Sequence, residues 1–163
     1  MAIYMKFGSI DGDVTTAGYE KWIELQSALF GVSRHTTTGA GDKAREGAHP
    51  EISELKITKH FDSASSKLLQ NSLAGKFDND VTIDMTATTK NKLETYLEIE
   101  LEKCGITSYQ HSASPGQVPV ESLTLNFTKI TFSPSPLNVQ GVPMRGGIVT
   151  FDLNTQVGGG GTR

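Results

Sequence analysis

The chain has 163 residues and a mild net charge of −3, from 15 lysines and arginines against 18 aspartates and glutamates. That length suits one domain with a real core, able to bury roughly 70% of the surface its unfolded chain exposes. No basic run reaches the length of a nucleic-acid patch, and no stretch approaches the about 18 apolar residues of a membrane helix, so composition argues against nucleic-acid binding and membrane insertion. Cys104 is the single cysteine, so no disulfide can form within the chain, and it reads as a small core or interface residue. Residues 1–8 alternate like a strand and lack the apolar segment of a signal peptide, so any export is expected to proceed without a cleaved leader.

Residues 2–10 read as the first strand, with Ile3, Met5 and Phe7 on one face and Tyr4 and Lys6 on the other. Asp11, Gly12 and Asp13 suit a turn. Residues 19–33 fit either a loose helical stripe through Tyr19, Ile23 and Phe30 or alternation through Ile23, Leu25, Ser27 and Leu29. Strand is the favoured reading, with a kink or bulge at Gly31. Residues 36–50 have no periodicity and no aliphatic residue larger than alanine, so they form an extended loop outside the core.

Residues 52–61 form the next strand, with Leu55, Ile57, Lys59 and Phe61 on one face. One helix follows at about residues 63–74, capped by Asp62 or Ser63 and stopped by Gly75. So short a helix is marginal alone in water and must dock, and Leu68, Leu69 and Leu73 are the expected docking residues. Val81, Ile83 and Met85 face inward on a further strand. After a turn at residues 88–92, residues 93–103 put Leu97, Ile99 and Leu101 inward and Tyr96, Glu98, Glu100 and Glu102 outward. Residues 106–111 continue as strand or edge.

Residues 120–132 form the longest alternating stretch. Leu123, Leu125 and Phe127 point one way, and Ile130 and Phe132 the other. That switch implies a bulge, or a strand buried on both faces where subunits meet. Ser133 and Pro134 are expected to break it. A closing strand at residues 148–155 puts Val149, Phe151 and Leu153 inward, and the glycines from 158 to 161 read as a flexible tail. Together these elements predict a mainly β chain, a curled antiparallel sheet with one helix.

The residues offer little for catalysis. His35, His49, His60 and His111 make neither an HxH nor an HExxH pair, and the acidic turn lacks the remaining carboxylates of a calcium loop. There is no GxSxG elbow, phosphate loop or GxGxxG. Glu98, Glu100 and Glu102 lie about 6.6 Å apart along one strand face with no acid, base or histidine beside them. They read as a solvated or interface face. No catalytic, cofactor-binding or metal residue is assigned, and the expected cofactor is none.

Several segments, in order, resemble the Hcp family of type VI secretion tube proteins. They are the start Met1-Ala2-Ile3-Tyr4-Met5-Lys6-Phe7-Gly8 with the Gly12 turn, and the run from Ile57 through Lys59, His60, Phe61, Asp62, Ser63, Ala64, Ser65 and Ser66 to Leu68. Tyr96-Leu97-Glu98-Ile99-Glu100-Leu101 and Glu121-Ser122-Leu123-Thr124-Leu125-Asn126-Phe127 complete the set. The likeness covers residues 1–157, expected as one domain, with residues 158–163 as the tail. It implies a two-sheet antiparallel β-barrel with one flanking helix and no catalytic activity.

The resemblance further implies homohexameric rings that stack into a tube. Such a tube meets spike, sheath and baseplate proteins, holds effectors in its lumen, and passes from the bacterial cytoplasm to the outside or into a target cell. On that frame Lys43, Arg45 and Glu46 are ring-stacking candidates, and Tyr96, Glu98, Glu100, Glu102, Ile130 and Phe132 are ring-interface candidates. Two other classes remain open from the residues: a small-ligand-binding β-barrel, whose inward faces would enclose a cavity, and a hydrolase with a dispersed triad.

Overall fold

The computed structural model describes residues 1–34, 50–89, 91–144 and 146–162. Its backbone is mainly β. β1 (Ala2–Phe7) pairs antiparallel with β2 (Ile23–Leu25) on one side and β7 (Asn79–Thr89) on the other. The sheet continues through β8 (Lys92–Ser112), β10 (Lys129–Pro134), β11 (Gly147–Asp152) and β12 (Val157–Thr162). A second sheet joins β3 (Ser27–Leu29), β6 (Leu55–His60), β9 (Val120–Asn126) and the far half of β8. A small pair, β4 (Val32–Ser33) with β5 (Glu51–Ile52), stands apart.

β8 is 21 residues long and belongs to both sheets. Its first half pairs with β7 and β10, and its second half, from Gly105 onward, with β9. The crossing falls where Lys103 takes a left-handed φ of 50° and Gly105 passes close to residues 76 and 77. A Cβ on Gly105 would stand 2.6 Å from the Lys76 carbonyl, so only glycine lets the strand turn there. The sequence reads as two strands here because the local hydrophobic phase changes at this bend.

The two-faced stretch at residues 120–132 has a related cause. It is two strands, β9 in the second sheet and β10 in the first, joined through Phe127 and Thr128. Leu123, Leu125, Phe127 and Ile130 are all buried, because the chain changes sheets and its inward side changes with it. β10 also runs through Ser133 and Pro134 rather than stopping before them. Residues 23–29 make the other passage between sheets: β2 and β3 are consecutive, and the amide of Gln26 between them donates to the Thr58 carbonyl at 2.8 Å.

Met5, Phe7, Ile23, Leu55, Ile57, Ile83, Ile99, Leu101, Leu123 and Leu125 fill the core at 0–1% exposure. Cys104 is fully buried, and burial pushes its thiol up to about 12, so it stays a protonated packing group. The long link from β1 to β2 is tied down by Tyr19, which stacks on Tyr4 with ring centroids 4.6 Å apart and donates to Asp84 at 2.9 Å. Burial first, then the neighbouring Asp84, pushes this phenol up to about 12.

The helix α1 (Ser65–Ala74) is shorter than the sequence suggests and begins after Ala64, with no side-chain cap. Asp62 instead accepts the Ala64 amide at 2.9 Å, one turn early. Gly75 ends the helix at φ 61°, the left-handed residue expected there. Docking differs from expectation: Ala64, Ser65 and Leu68 are buried, whereas Leu69 is 40% and Leu73 81% exposed. Ser65 and Leu68 lie three residues apart on one helical face, and Leu69 and Leu73 lie on a neighbouring face that the sheets do not reach. β6 stops at His60, and Phe61 turns outward against the His111 ring.

Residues 158–161, read as a flexible tail, lie within β12 and pair with β11 in continuous register from Asp152–Val157 to Gly147–Thr162. Main-chain hydrogen bonding needs no side chains, so hydropathy gives no sign of this strand. Val149, expected inside, is 56% exposed.

Leu68→Ala is expected to lower stability by about 2–5 kcal/mol, the usual cost of emptying a packed leucine site. Leu73→Ala should stay within about 0.5 kcal/mol. Urea unfolding followed by circular dichroism separates them, and equal losses would contradict this docking.

Candidate functional site

The strand register forces one charged pair inside. β6 turns Leu55, Ile57 and Lys59 to the core, β9 turns Glu121, Leu123 and Leu125 there, and Lys59 lies directly opposite Glu121. Both side chains are fully buried. Lys59 Nζ donates to Glu121 Oε2 at 2.7 Å, to Asp62 Oδ1 at 2.7 Å, to the His60 carbonyl at 2.8 Å and to Ser65 Oγ at 3.1 Å. Ser65 donates to Glu121 Oε2 at 2.8 Å, and the Tyr109 hydroxyl donates to Glu121 Oε1.

Burial by itself would raise the Glu121 carboxyl. The hydrogen bonds from Lys59, Tyr109 and Ser65 and the Lys59 charge outweigh it and hold the group below its ordinary value. Burial and the same carboxylate push the Tyr109 phenol up. Perturbed groups often mark active sites. Here the oxygens of Glu121 are already occupied and Lys59 has no exposed surface, so the cluster serves packing. It fixes the start of α1, through Asp62 and Ser65, to the second sheet.

An open cavity of about 380 Å³ lies beside it, lined by Asp13, Val14, Glu24, Leu25, Gln26, His60 and Asp62. Its polar groups do not converge. Asp13 accepts from the Ser63 hydroxyl and amide, which hold its carboxyl below the usual range. His60 is bonded to Gln26 at 2.6 Å. Among the described residues no three histidines, cysteines or carboxylates are grouped to hold a metal ion.

The outer face of the first sheet carries the acidic row. Glu98 and Tyr96 are half-buried, and Glu100 and Glu102 are exposed. Glu102 is bridged to Lys129 of β10 at 2.6 Å, and Glu100 lies between Thr82 and Thr131. Ile130 is only 5% exposed and lies, next to Phe132, in the wall of an open apolar groove. Phe132 is half-buried and faces this groove, of about 290 Å³, with Phe30, Val32, Ile52, Val149 and Phe151. Lys43, Arg45 and Glu46 lie outside the described residues.

Sequence reasoning missed two features. The buried pair had a signal: a lysine in phase with Leu55 and Ile57, and a glutamate in phase with Leu123 and Leu125. The groove had less, because its walls come from segments more than 90 residues apart, such as those of Phe30 and Val149.

Glu121→Gln should cost about 3 kcal/mol near neutral pH, because Lys59 keeps its charge inside with its one fully buried counter-charge removed and only Asp62 left beside it. A carboxylate held below its ordinary value stabilises the fold above the unfolded-state value near about 4.3, and the contribution disappears as pH falls through the lower folded value. The difference between wild type and variant should therefore shrink below about pH 4. Thermal melts across pH check this, and a difference independent of pH would contradict it.

Comparison with known proteins agrees with this architecture. No curated protein matches the chain. Among solved structures, one described as a type six secretion system protein aligns with a TM-score of 0.90 at 23% identity, covering 97% of this chain and 99% of the other. Hcp1 from Salmonella typhimurium aligns at 0.71 and 19%, covering 95% and 97%. A type VI secretion system effector from Yersinia pestis aligns at 0.71 and 18%, covering 92% and 98%. These likenesses show the fold. Residues 4–133 match the family described as type VI secretion system effector, Hcp. With most of its length inside that match, the chain belongs to the Hcp family of type VI secretion system proteins.

Proposed function

We propose that this chain is a structural subunit of the type VI secretion tube. Six copies close into a ring, rings stack, and the tube is propelled outward and released with effectors held in its lumen. Its partners are further copies of itself, the spike at the tube tip, the sheath and baseplate, and the effectors. The family match carries this reading. The core supports it too: the inward faces of both sheets are filled by side chains, which leaves little room for a ligand within one subunit. The polar residues favour a role without turnover, since the buried carboxylate and lysine are spent on each other.

Ring closure joins two different patches of one surface, repeated around an axis. Tyr96, Glu98 and Glu100 on the outer face of the first sheet are candidates for this contact. The segment with Lys43, Arg45 and Glu46 is assigned to stacking between rings. Electron microscopy of the purified protein should show annular particles with an open centre, and a monomer throughout the micromolar range would overturn the proposal.

Glu100→Lys should keep the monomer's melting behaviour while weakening the ring, by replacing an attraction with a repulsion across the contact. Unchanged ring size on size-exclusion chromatography would remove Glu100 from the interface. Deleting residues 38–47 should spare rings and abolish tube growth and secretion. Normal tubes from that variant would reassign stacking to another surface.

A further inference from the structure

Three carboxylates from three different segments converge on the few residues that lead into α1. Asp13, in the link between β1 and β2, accepts from the hydroxyl and the amide of Ser63. Asp62, in the link between β6 and α1, accepts from the Ala64 amide at 2.9 Å and from Lys59 at 2.7 Å. Glu121, on β9, accepts from Ser65 at 2.8 Å and from Lys59 at 2.7 Å.

Apolar anchorage of the helix is slight by comparison. Ala64 and Leu68 are buried, whereas Leu69 and Leu73 are exposed. The Asn71 side-chain oxygen is buried with no hydrogen-bond partner among the described residues, which weakens the docked state. The helix has 10 residues, no acidic group in its first turn and no basic group in its last. So short a helix does not hold its conformation once undocked.

Acid acts on this attachment in one direction. The Ser63 hydroxyl and amide hold the Asp13 carboxyl below its ordinary value. Burial works against the Glu121 carboxylate, but the bonds from Lys59, Tyr109 and Ser65 outweigh it and hold this group low as well. A carboxylate held low stabilises the docked state above its unfolded-state value, about 3.9 for aspartate and about 4.3 for glutamate. That contribution is lost as pH falls through the lower folded value. A lysine keeps its charge in acid, so Lys59 is then left as a buried cation among neutral partners, which is strongly unfavourable.

The four groups around Lys59 Nζ are Glu121, Asp62, Ser65 and the His60 carbonyl. Two of them belong to the helix and its lead-in, so lifting that segment opens Lys59 to water. The other titratable side chains facing this point are Tyr109 and His111 on β8, Glu24 on β2 and His60 on β6. None of them bonds to Lys59, so none replaces a lost partner.

We infer that α1 is an acid-released latch: below about pH 4 the helix and its lead-in leave the second sheet and unfold locally, while the strands stay paired through main-chain bonds that do not titrate.

Hydrogen exchange read by mass spectrometry on the full chain tests this, with each rate divided by that of unstructured chain at the same pH. Between about pH 7 and about pH 3, amides of residues 66–75 should lose at least about tenfold protection, while those of β7 and β8 keep theirs. Protection of α1 that is unchanged by acid would overturn the latch. So would loss from β7 and β8 in step with α1, since that is global unfolding.

Lys59→Met combined with Glu121→Leu removes the buried charges and should leave α1 protected in acid. Release of the helix as in wild type would overturn the role of this network. If that variant does not fold, Asp13→Ala at an exposed position decides. It should loosen α1 already near neutral pH, and unchanged protection there would overturn the inference.

Discussion

The ion pair between Lys59 and Glu121 is the constraint that ties the helix to the second sheet. Two strands of alternating hydrophobicity, β6 and β9, each put one charge into the row that should have been apolar, and their register makes those two charges face each other. A lone buried charge is strongly unfavourable, whereas a pair with its remaining lone pairs satisfied is tolerated. Tyr109 from β8, Ser65 from α1 and Asp62 from the link between β6 and α1 supply the remaining bonds. Three strands and the helix start are therefore tied at one point. A two-residue slip of the β6–β9 register would part Glu121 from Lys59 and leave that carboxylate buried without its cation, so the pair also favours the register that forms.

The hydrophobic core gives bulk stability with less positional demand. Its members come from both sheets, and β8 carries that core continuously from one sheet to the other. A single 21-residue strand shared by two sheets couples them mechanically. The helix adds little to the core beyond Leu68, and its place is set as much by Asp62 and Ser65 as by apolar contact.

The surface is organised differently from the interior. The acidic face of the first sheet is partly neutralised within the chain, by Lys129 on Glu102. The far side of the sheet ends in a bare glycine strand beside an open apolar groove. Such an edge is a liability in a monomer unless something covers it.

Much of this was legible in the residues. The alternation of Met5 and Phe7, of Leu55 and Ile57, of Val81 and Ile83 and of Leu123 and Leu125 named the strands and their buried faces, because a half-buried strand must repeat every two residues. Gly75 named the end of the single helix, because few other residues accept its left-handed backbone. The order of the motifs was enough to suggest the family. What stayed hidden depends on pairing between distant segments. Whether residues 92–112 were one strand or two, whether residues 120–134 bulged or changed sheets, which side of α1 met the core and whether the glycine run would join a sheet are questions of which backbone lies beside which. Local periodicity carries no information about that, since hydrogen bonds across a sheet are made by main chain common to every residue. The sequence by itself determined which residues could be inside. Only the tertiary structure decided that Lys59 belonged among them, because only there does Glu121 stand opposite it.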